Sequence, residues 1–287
     1  MILLDYNAIA IVSVIQNKND LNEDLFRHLI LNNIRQYRNK FKESYGEIVV
    51  CGDGRKNWRK DVFPNYKAQR AKSRQKSDVD WGEVFRIIYL VFEELSENFP
   101  YKTLLIENCE ADDIIANLVE YTQEFGKNEP VMIVSSDKDF VQLQKYDNVS
   151  QYSPMKKQLI VEKNPRRQLL ELILKGDQSD GVPNVLSPDN SFVDGIRQTP
   201  LRKKKIEELI EKLYDTYKNP YGKDEEWMRN YLRNKKLIDL SEAPESVKSE
   251  ILNTFEEQDR WSNRSKVFPF LVEKRCRMLI EDVEDFI

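Results

Sequence analysis

The chain has 287 residues, with 45 Lys and Arg against 49 Asp and Glu, one histidine, 40% hydrophobic and 10% aromatic residues. That composition excludes a disordered chain. No apolar run approaches the roughly 18–20 residues that span a bilayer, and Asp5 arrives too early in the chain for a signal peptide. The single histidine, His28, excludes a multi-histidine zinc site, and three widely spaced cysteines (Cys51, Cys109, Cys276) suit reduced thiols in a cytoplasmic protein rather than a disulfide framework.

In chain order, Ile2-Leu3-Leu4 reads as a short buried strand. Residues 21–41 carry Leu25, Leu29, Ile30, Ile34, Tyr37 and Phe41 at helical spacing, and Ile48-Val49-Val50-Cys51 is a second strand. A basic segment, 55–76, follows. Residues 82–98 read as a helix, Thr103-Leu104-Leu105-Ile106 as a strand, 110–122 as a helix and Val131-Met132-Ile133-Val134 as another strand. This alternation predicts an α/β fold, a mostly parallel central sheet with helices on both faces. A strand pair is expected near Val149 to Tyr152 and Leu159 to Val161. Helices are then expected at 166–175, 201–217, 225–237, 245–257 and 270–280, punctuated by Pro183, Pro188, Pro200, Pro220, Pro244 and Pro269. The second half thus reads as a smaller helical C-terminal domain. The expected division is 1–180, a catalytic domain with a bridge at about 55–80, and 181–287.

Three of the apolar runs lead into aspartate: Asp5, Asp53 and, after Ser135-Ser136, Asp137, with Asp139 two residues on. Ligands of open parallel sheets bind beyond the carboxyl ends of the strands. One such aspartate is an ordinary turn residue; three at one topological position suggest a site. Glu110, Asp112 and Asp113 open a helix, where acids also complement the dipole, but three acids in four residues repel one another. Asp177 and Asp180 form a further pair, in what also reads as a solvated turn. A carboxylate set with no His or Cys favours Mg²⁺, with Mn²⁺ as a substitute. The number of acids suggests two ions, and a pair about 3.5–4 Å apart suits in-line attack on a phosphodiester.

The segment 55–76 holds nine Lys or Arg and one acid, so it carries +8 while the rest of the chain carries −12 of the net −4. Such runs are commonly solvated loops. Here Trp58, Phe63, Pro64 and Tyr66 interleave with the cations, offering stacking surfaces beside charges (Arg59, Lys60, Lys67, Arg70, Lys72) that track phosphates. A second basic cluster, Arg202-Lys203-Lys204-Lys205, starts a helix and suits duplex contact or a plain surface.

In order, Leu3-Leu4-Asp5, Val50-Cys51-Gly52-Asp53-Gly54, Arg59 with Pro64-Asn65-Tyr66-Lys67-Ala68-Gln69-Arg70, Glu110-Ala111-Asp112-Asp113-Ile114-Ile115 and Ile133-Val134-Ser135-Ser136-Asp137-Lys138-Asp139-Phe140 resemble the motifs of the 5′-nucleases. That family includes flap endonucleases, the nuclease domain of bacterial DNA polymerase I and phage ribonuclease H. The segments from Arg27 to Asn32 and from Asn148 to Met155 are similar to the phage ribonuclease H branch, and they leave His28 a structural helix residue. The resemblance implies that Asp5, Asp53, Glu110, Asp112 and Asp137 surround one metal. Asp139 and Asp180, with Asp177 nearby, hold a second, and Asp113 supports the site from its edge. It implies that Lys67 and Arg59 contact the scissile region and that Tyr66 stacks on an unpaired base. The implied activity is 5′→3′ exonuclease and flap cleavage, removing RNA primers from lagging-strand fragments. The implied partners are branched, flapped or nicked DNA, RNA–DNA hybrid and a single-strand DNA-binding replication protein. A monomer in the host cytoplasm is expected.

One departure stands out. The family's helix–three-turn–helix is changed, with Gly181 where Asn is expected and Asn184 where Gly is expected, which puts its grip on duplex and monovalent ion in doubt. The acidic end, 281–287, reads as a solvated tail or a partner-docking segment. A catalytically silent branched-DNA-binding protein and a single-strand ribonuclease without a bridge are the alternatives. The complete set of acids argues against the first, and the basic segment with the Asp177 and Asp180 pair against the second.

Overall fold

A computed structural model describes residues 1–15, 22–218 and 226–287. The expected helix starts at Leu21 and Glu225, and Pro220, lie outside the described residues. In chain order the elements are β1 (Ile2–Asp5), α1 (Tyr6–Ile15), α2 (Glu23–Tyr45), β2 (Ile48–Gly52), α3 (Arg59–Val62), α4 (Ala68–Gln75), α5 (Trp81–Asn98), β3 (Lys102–Leu105), α6 (Ala111–Gln123), β4 (Val131–Val134), β5 (Val149–Ser153), β6 (Gln158–Ile160), α7 (Pro165–Lys175), α8 (Lys203–Lys218), α9 (Glu226–Ile238), α10 (Glu245–Glu257), α11 (Arg264–Glu273) and α12 (Arg277–Ile280). No helix among the described residues is long and apolar enough to cross a membrane.

The chain packs as two compact units, residues 1–56, 79–162 and 244–287 in one and 57–78 and 163–243 in the other. These are not the two contiguous pieces of a division at 180. The basic segment packs with the helical unit, and the last 44 residues return to the sheet unit.

In the sheet unit the strand order is β3-β2-β1-β4-β5-β6, parallel except for β6. Chain order runs outward from β1 in both directions, so β1 and its neighbours β2 and β4 form the switch point where such sheets bind ligands. Ile2, Leu3 and Leu4 are 0% exposed, which is why β1 is apolar on both faces instead of alternating. Helix α1 was not anticipated. It is apolar almost all round, with Ile9, Ala10 and Val14 buried, and so shows no helical stripe. Local caps set the other boundaries: Asn22 accepts from the amides of Asp24 and Leu25 ahead of α2, and Asp80 from that of Glu83 ahead of α5. The three cysteines are buried and unpaired.

Two expectations need correction in this unit. Pro269 does not bound a helix but lies inside α11. The acidic segment 281–287 is packed on the sheet unit rather than a free solvated tail. Phe286 is 0% exposed and stacks edge-on against Phe99, with ring centroids 5.4 Å apart. Arg35 pairs with Asp282 and Asp285, Arg38 donates to the carbonyls of Asp285 (2.7 Å) and Ile287 (2.8 Å), and the Tyr101 hydroxyl donates to that of Phe286 (3.0 Å). Asp282 and Asp285 are the acids that meet Arg35. Phe286→Ala is therefore expected to cost about 3–5 kcal/mol of stability by urea unfolding, and a loss below about 1 kcal/mol would contradict this packing.

In the helical unit, Phe63 and Tyr66 join Ile173, Leu174, Val182, Val185, Ile206, Leu209 and Ile210 in one core. Helix α8 buries Ile206, Leu209, Ile210 and Leu213, a spacing that presents one face.

Candidate active site

The carboxyl ends of β2, β1 and β4 lie side by side, and each delivers an aspartate. Asp5 ends β1 and is 7% exposed. Its Oδ1 accepts the Ala8 amide (3.2 Å), capping α1, and its Oδ2 accepts the Ser135 hydroxyl (2.8 Å). The same Ser135 oxygen accepts the Asp137 amide (3.1 Å), and Asp137 Oδ1 accepts the Asp139 amide (2.9 Å). Gln151 on β5 donates to the carbonyls of Ser135 (3.1 Å) and Asp137 (2.6 Å), so the turn after β4 is clamped.

Asp53 is fixed at both ends. Its amide donates to Asn7 Oδ1 (3.1 Å), and its Oδ1 accepts the Ala111 amide (2.9 Å) in the first turn of α6. The next residue, Gly54, donates its amide to the Cys109 carbonyl (2.9 Å). These bonds join the end of β2 to the helix start that carries Glu110, Asp112 and Asp113. Glu110 and Asp113 form a reciprocal capping box, with Glu110 N–H to Asp113 Oδ2 at 3.1 Å. Asp113, 1% exposed, is thus engaged in the cap, and the dipole reading of these acids holds for part of the set. Asp112 is half-buried in the same first turn.

Burial, and then repulsion from Asp53, push the Asp5 carboxyl up to about 7, with Asp137 adding to the rise; the Ser135 and Ala8 hydrogen bonds oppose it. The sheet edge thus concentrates negative charge beyond what its own donors neutralise. A hard divalent ion suits an all-oxygen set of this kind. Among the described residues no three His, Cys, Asp or Glu side chains stand together as a cage able to hold a metal ion. An ion that keeps several of its waters, as Mg²⁺ does, needs no such cage and takes only one or two carboxylates directly.

The raised Asp5 makes a signed prediction. The folded protein holds this proton at pH values where the unfolded chain has released it, so the contribution of Asp5 to metal-free stability should fall as pH rises from about 4 to about 7, read as the difference from Asp5→Asn. Melting of wild type and Asp5→Asn in chelator should show this fall in the difference between the two, and Mg²⁺ should flatten it. A wild-type melting temperature that rises relative to that of Asp5→Asn across that range would contradict the assignment.

The remaining predicted residues belong to the helical unit. Two are corrected by their burial. Arg59 is 2% exposed, donates from Nε to the Leu237 carbonyl (2.8 Å) and lies over the Trp58 ring (4.5 Å). Tyr66 is 3% exposed and donates its hydroxyl to Asp180 Oδ2 (2.9 Å). Trp58 and Phe63 are also buried. The aromatics of the basic segment are anchors to the core rather than stacking faces. Lys60 is exposed, Lys72 donates to the Val193 carbonyl (3.2 Å), and Lys67 and Arg70 pair with Asp180. Asp177 is 3% exposed, its Oδ1 accepting the Ser179 amide (2.7 Å) and hydroxyl (2.6 Å). Arg202, Lys203 and Lys204 are exposed at the start of α8, and Lys205 pairs with Glu208.

The altered helix–three-turn–helix stays ordered by its own means. Gly176 (φ 68°) and Gly181 (φ 72°) keep the left-handed turns. The Asn184 backbone amide donates to Gln198 Oε1 (2.8 Å), and its side-chain Oδ1 accepts from the Leu186 amide (2.9 Å) and the Ser187 hydroxyl (3.0 Å). Amides that glycines would present outward are satisfied from within.

Sequence reasoning missed Asn7, Ser135 and Gln151. Ser135 and Asn7 adjoin the aspartates they orient, a signal that was available; Gln151 reaches across from a neighbouring strand and leaves none.

Residues 8–169 match the 5′–3′ exonuclease N-terminal resolvase-like domain, and 164–286 match the C-terminal domain of T4 RNase H. The chain therefore belongs to the 5′–3′ exonuclease family of nucleases. Ribonuclease H of Enterobacteria phage T4 is 35% identical over 295 residues, covering 99% of this chain and 95% of that protein. A 5′–3′ exonuclease of Buchnera aphidicola (subspecies Schizaphis graminum) is 33% identical over 176 residues, 59% of this chain and 58% of that one. In fold, the chain is similar to the 5′-exonuclease of phage T5 with bound divalent zinc, at a TM-score of 0.67 and 17% identity, over 90% of this chain and 98% of that one.

Proposed function

We propose that this nuclease is a Mg²⁺-dependent 5′→3′ exonuclease and flap endonuclease that uses two ions and removes RNA primers from lagging-strand fragments. The observation that carries the reading is the set of carboxylates at the carboxyl ends of three adjacent strands, fastened to the acidic start of α6 by the Asp53 to Ala111 bond. Asp5, Asp53, Glu110, Asp112 and Asp137 would surround one ion, most of them through its waters, and Asp139, Asp177 and Asp180 would serve a second. Mn²⁺ would substitute. Bound ions would acidify an attacking water and stabilise charge on the phosphate and leaving oxygen.

The chain's own residues do the positioning. Ser135 aims Asp5 and Asp137, Gln151 keeps their turn from opening, and Asn7 orients the Asp53 backbone. Lys60, Lys67, Arg70 and Lys72 supply cations for phosphate. The exposed cations at the start of α8 stand where a helix dipole disfavours positive charge, which supports an external anionic partner such as duplex backbone. The proposed substrates are flapped or nicked DNA and RNA–DNA hybrid. A single-strand DNA-binding protein as partner, a monomeric state and a place in the host cytoplasm complete the proposal.

Asp112→Asn tests it. The substitution keeps shape and removes one charge, so cleavage of a 5′-flap substrate in Mg²⁺ should fall by about 10³-fold or more. Binding of the same DNA should hold or tighten, because less negative charge faces the phosphates. Retained cleavage would remove Asp112, and with it the metal assignment at α6.

A further inference from the structure

Resting on the nuclease reading above, we propose that Asp180 is a positioning residue that occupies the phosphate site of the bridge until nucleic acid displaces it. Three donors of the basic segment converge on this one carboxylate. The Tyr66 hydroxyl reaches Oδ2 at 2.9 Å, Arg70 reaches Oδ1 at 2.5 Å, and Lys67 Nζ lies 3.7 Å from Oδ2. A phenol, a guanidinium and an ammonium around one anionic oxygen pair form a site for a phosphodiester as well as for a carboxylate.

The backbone holds the arrangement in register. The Lys67 amide donates to the Asp180 carbonyl (2.7 Å), Arg70 Nε to the Ser179 carbonyl (3.3 Å), and the Gln69 side-chain amide to the Gln178 carbonyl. Lys67 adopts φ 56°, a left-handed conformation that a lysine takes only where its surroundings hold it. A Cβ at Gly181 would sit 3.0 Å from the Gln69 side chain and 3.2 Å from the Asn65 carbonyl, so the two segments are closely packed.

Lys67 and Asp180 are 17% and 15% exposed, while Arg70 is 42% exposed. The ion pair is therefore open to exchange rather than locked in the core. One exchange settles two charges. A phosphate taken by Lys67 and Arg70 replaces the carboxylate, and the carboxylate so freed gains the capacity to meet a cation. Nucleic-acid capture and the readiness of Asp180 for metal then rise together. The same contacts offset part of the bridge's +8.

The test uses the full chain in chelator, so that no step needs turnover. Asp180→Asn should make trypsin cut at Lys67, Arg70 and Lys72 about 5–10-fold faster, because cutting follows local opening. It should also bind a 5′-flap oligonucleotide about 3–10-fold more tightly, since the DNA no longer has to displace a carboxylate. Tyr66→Phe keeps the ring and removes one bond to the same oxygen. If Asp180→Asn fails to fold, this variant should still show faster cutting and a smaller gain in affinity. Unchanged cutting and affinity would overturn the proposal. Faster cutting with unchanged or weaker affinity would also overturn it, by making Asp180 a staple only. Wild-type cleavage of the same oligonucleotide in Mg²⁺ is measured separately. Its absence would count against the nuclease reading and leave the chelator results to stand or fall on their own.

Discussion

Asp53→Asn is expected to lower Mg²⁺-dependent cleavage by about 10³-fold or more without unfolding the protein. The substitution is close to isosteric. Asparagine can still accept the Ala111 amide through its Oδ1, and the backbone bond to Asn7 is untouched, so the end of β2 should stay tied to α6. What disappears is the charge. Asp53 is the largest electrostatic contributor to the raised Asp5 carboxyl, so its neutralisation should bring Asp5 back toward the ordinary carboxylate range and leave metal-free stability equal or higher. A protein that melts higher and cleaves far less is the signature of a charged group kept for chemistry. If the variant were markedly less stable, the Asp53 carboxylate would be a structural bond to α6, and loss of cleavage would carry no message about metal.

The second large effect is expected at Gly54. A Cβ there would lie 2.1 Å from the Ile106 carbonyl oxygen and 2.9 Å from that of Cys109. Both obstacles are backbone, so no side chain can swing aside. Gly54→Ala must push the loop after β2 away from the loop between β3 and α6, which are now joined by the Gly54 amide to Cys109 carbonyl bond. That displacement moves Asp53 relative to Glu110 and Asp112. A stability loss of about 1–3 kcal/mol is expected from the overpacking. Cleavage should fall by about 10²-fold even at temperatures where the variant is folded, since misplacement of about 1 Å is enough for that. Full activity in a folded Gly54→Ala protein would show that the spacing of these two loops does not matter.

Most of the sheet was legible because its strands are continuous apolar runs, buried on both faces and ended by acids. The aspartates at the ends of β1, β2 and β4 could be placed at one edge from topology alone. Helix α1 was hidden for the same reason that β1 was visible: a fully buried element has no polar face to mark its period. The bridge was read for charge and aromatics, which are there, but Phe63 and Tyr66 are buried by apolar partners, and Arg59 is held by the Leu237 carbonyl, all more than 100 residues away. The acidic end looked solvated because the cations that meet it, Arg35 and Arg38, lie near the other end of the chain. Asp180 illustrates the limit most clearly. Its spacing from Asp177 pointed to metal, yet its partners in the structure are Tyr66, Lys67 and Arg70, and only the folded unit brings them together.

The most direct measurement of the central claim is cleavage of an end-labelled 5′-flap duplex by the wild-type chain, first in chelator and then after Mg²⁺ is restored. The account predicts binding without cleavage in chelator, and release of the flap at or near its junction when Mg²⁺ is added. Cleavage at the same rate in chelator, or DNA bound in Mg²⁺ and left intact, would contradict it.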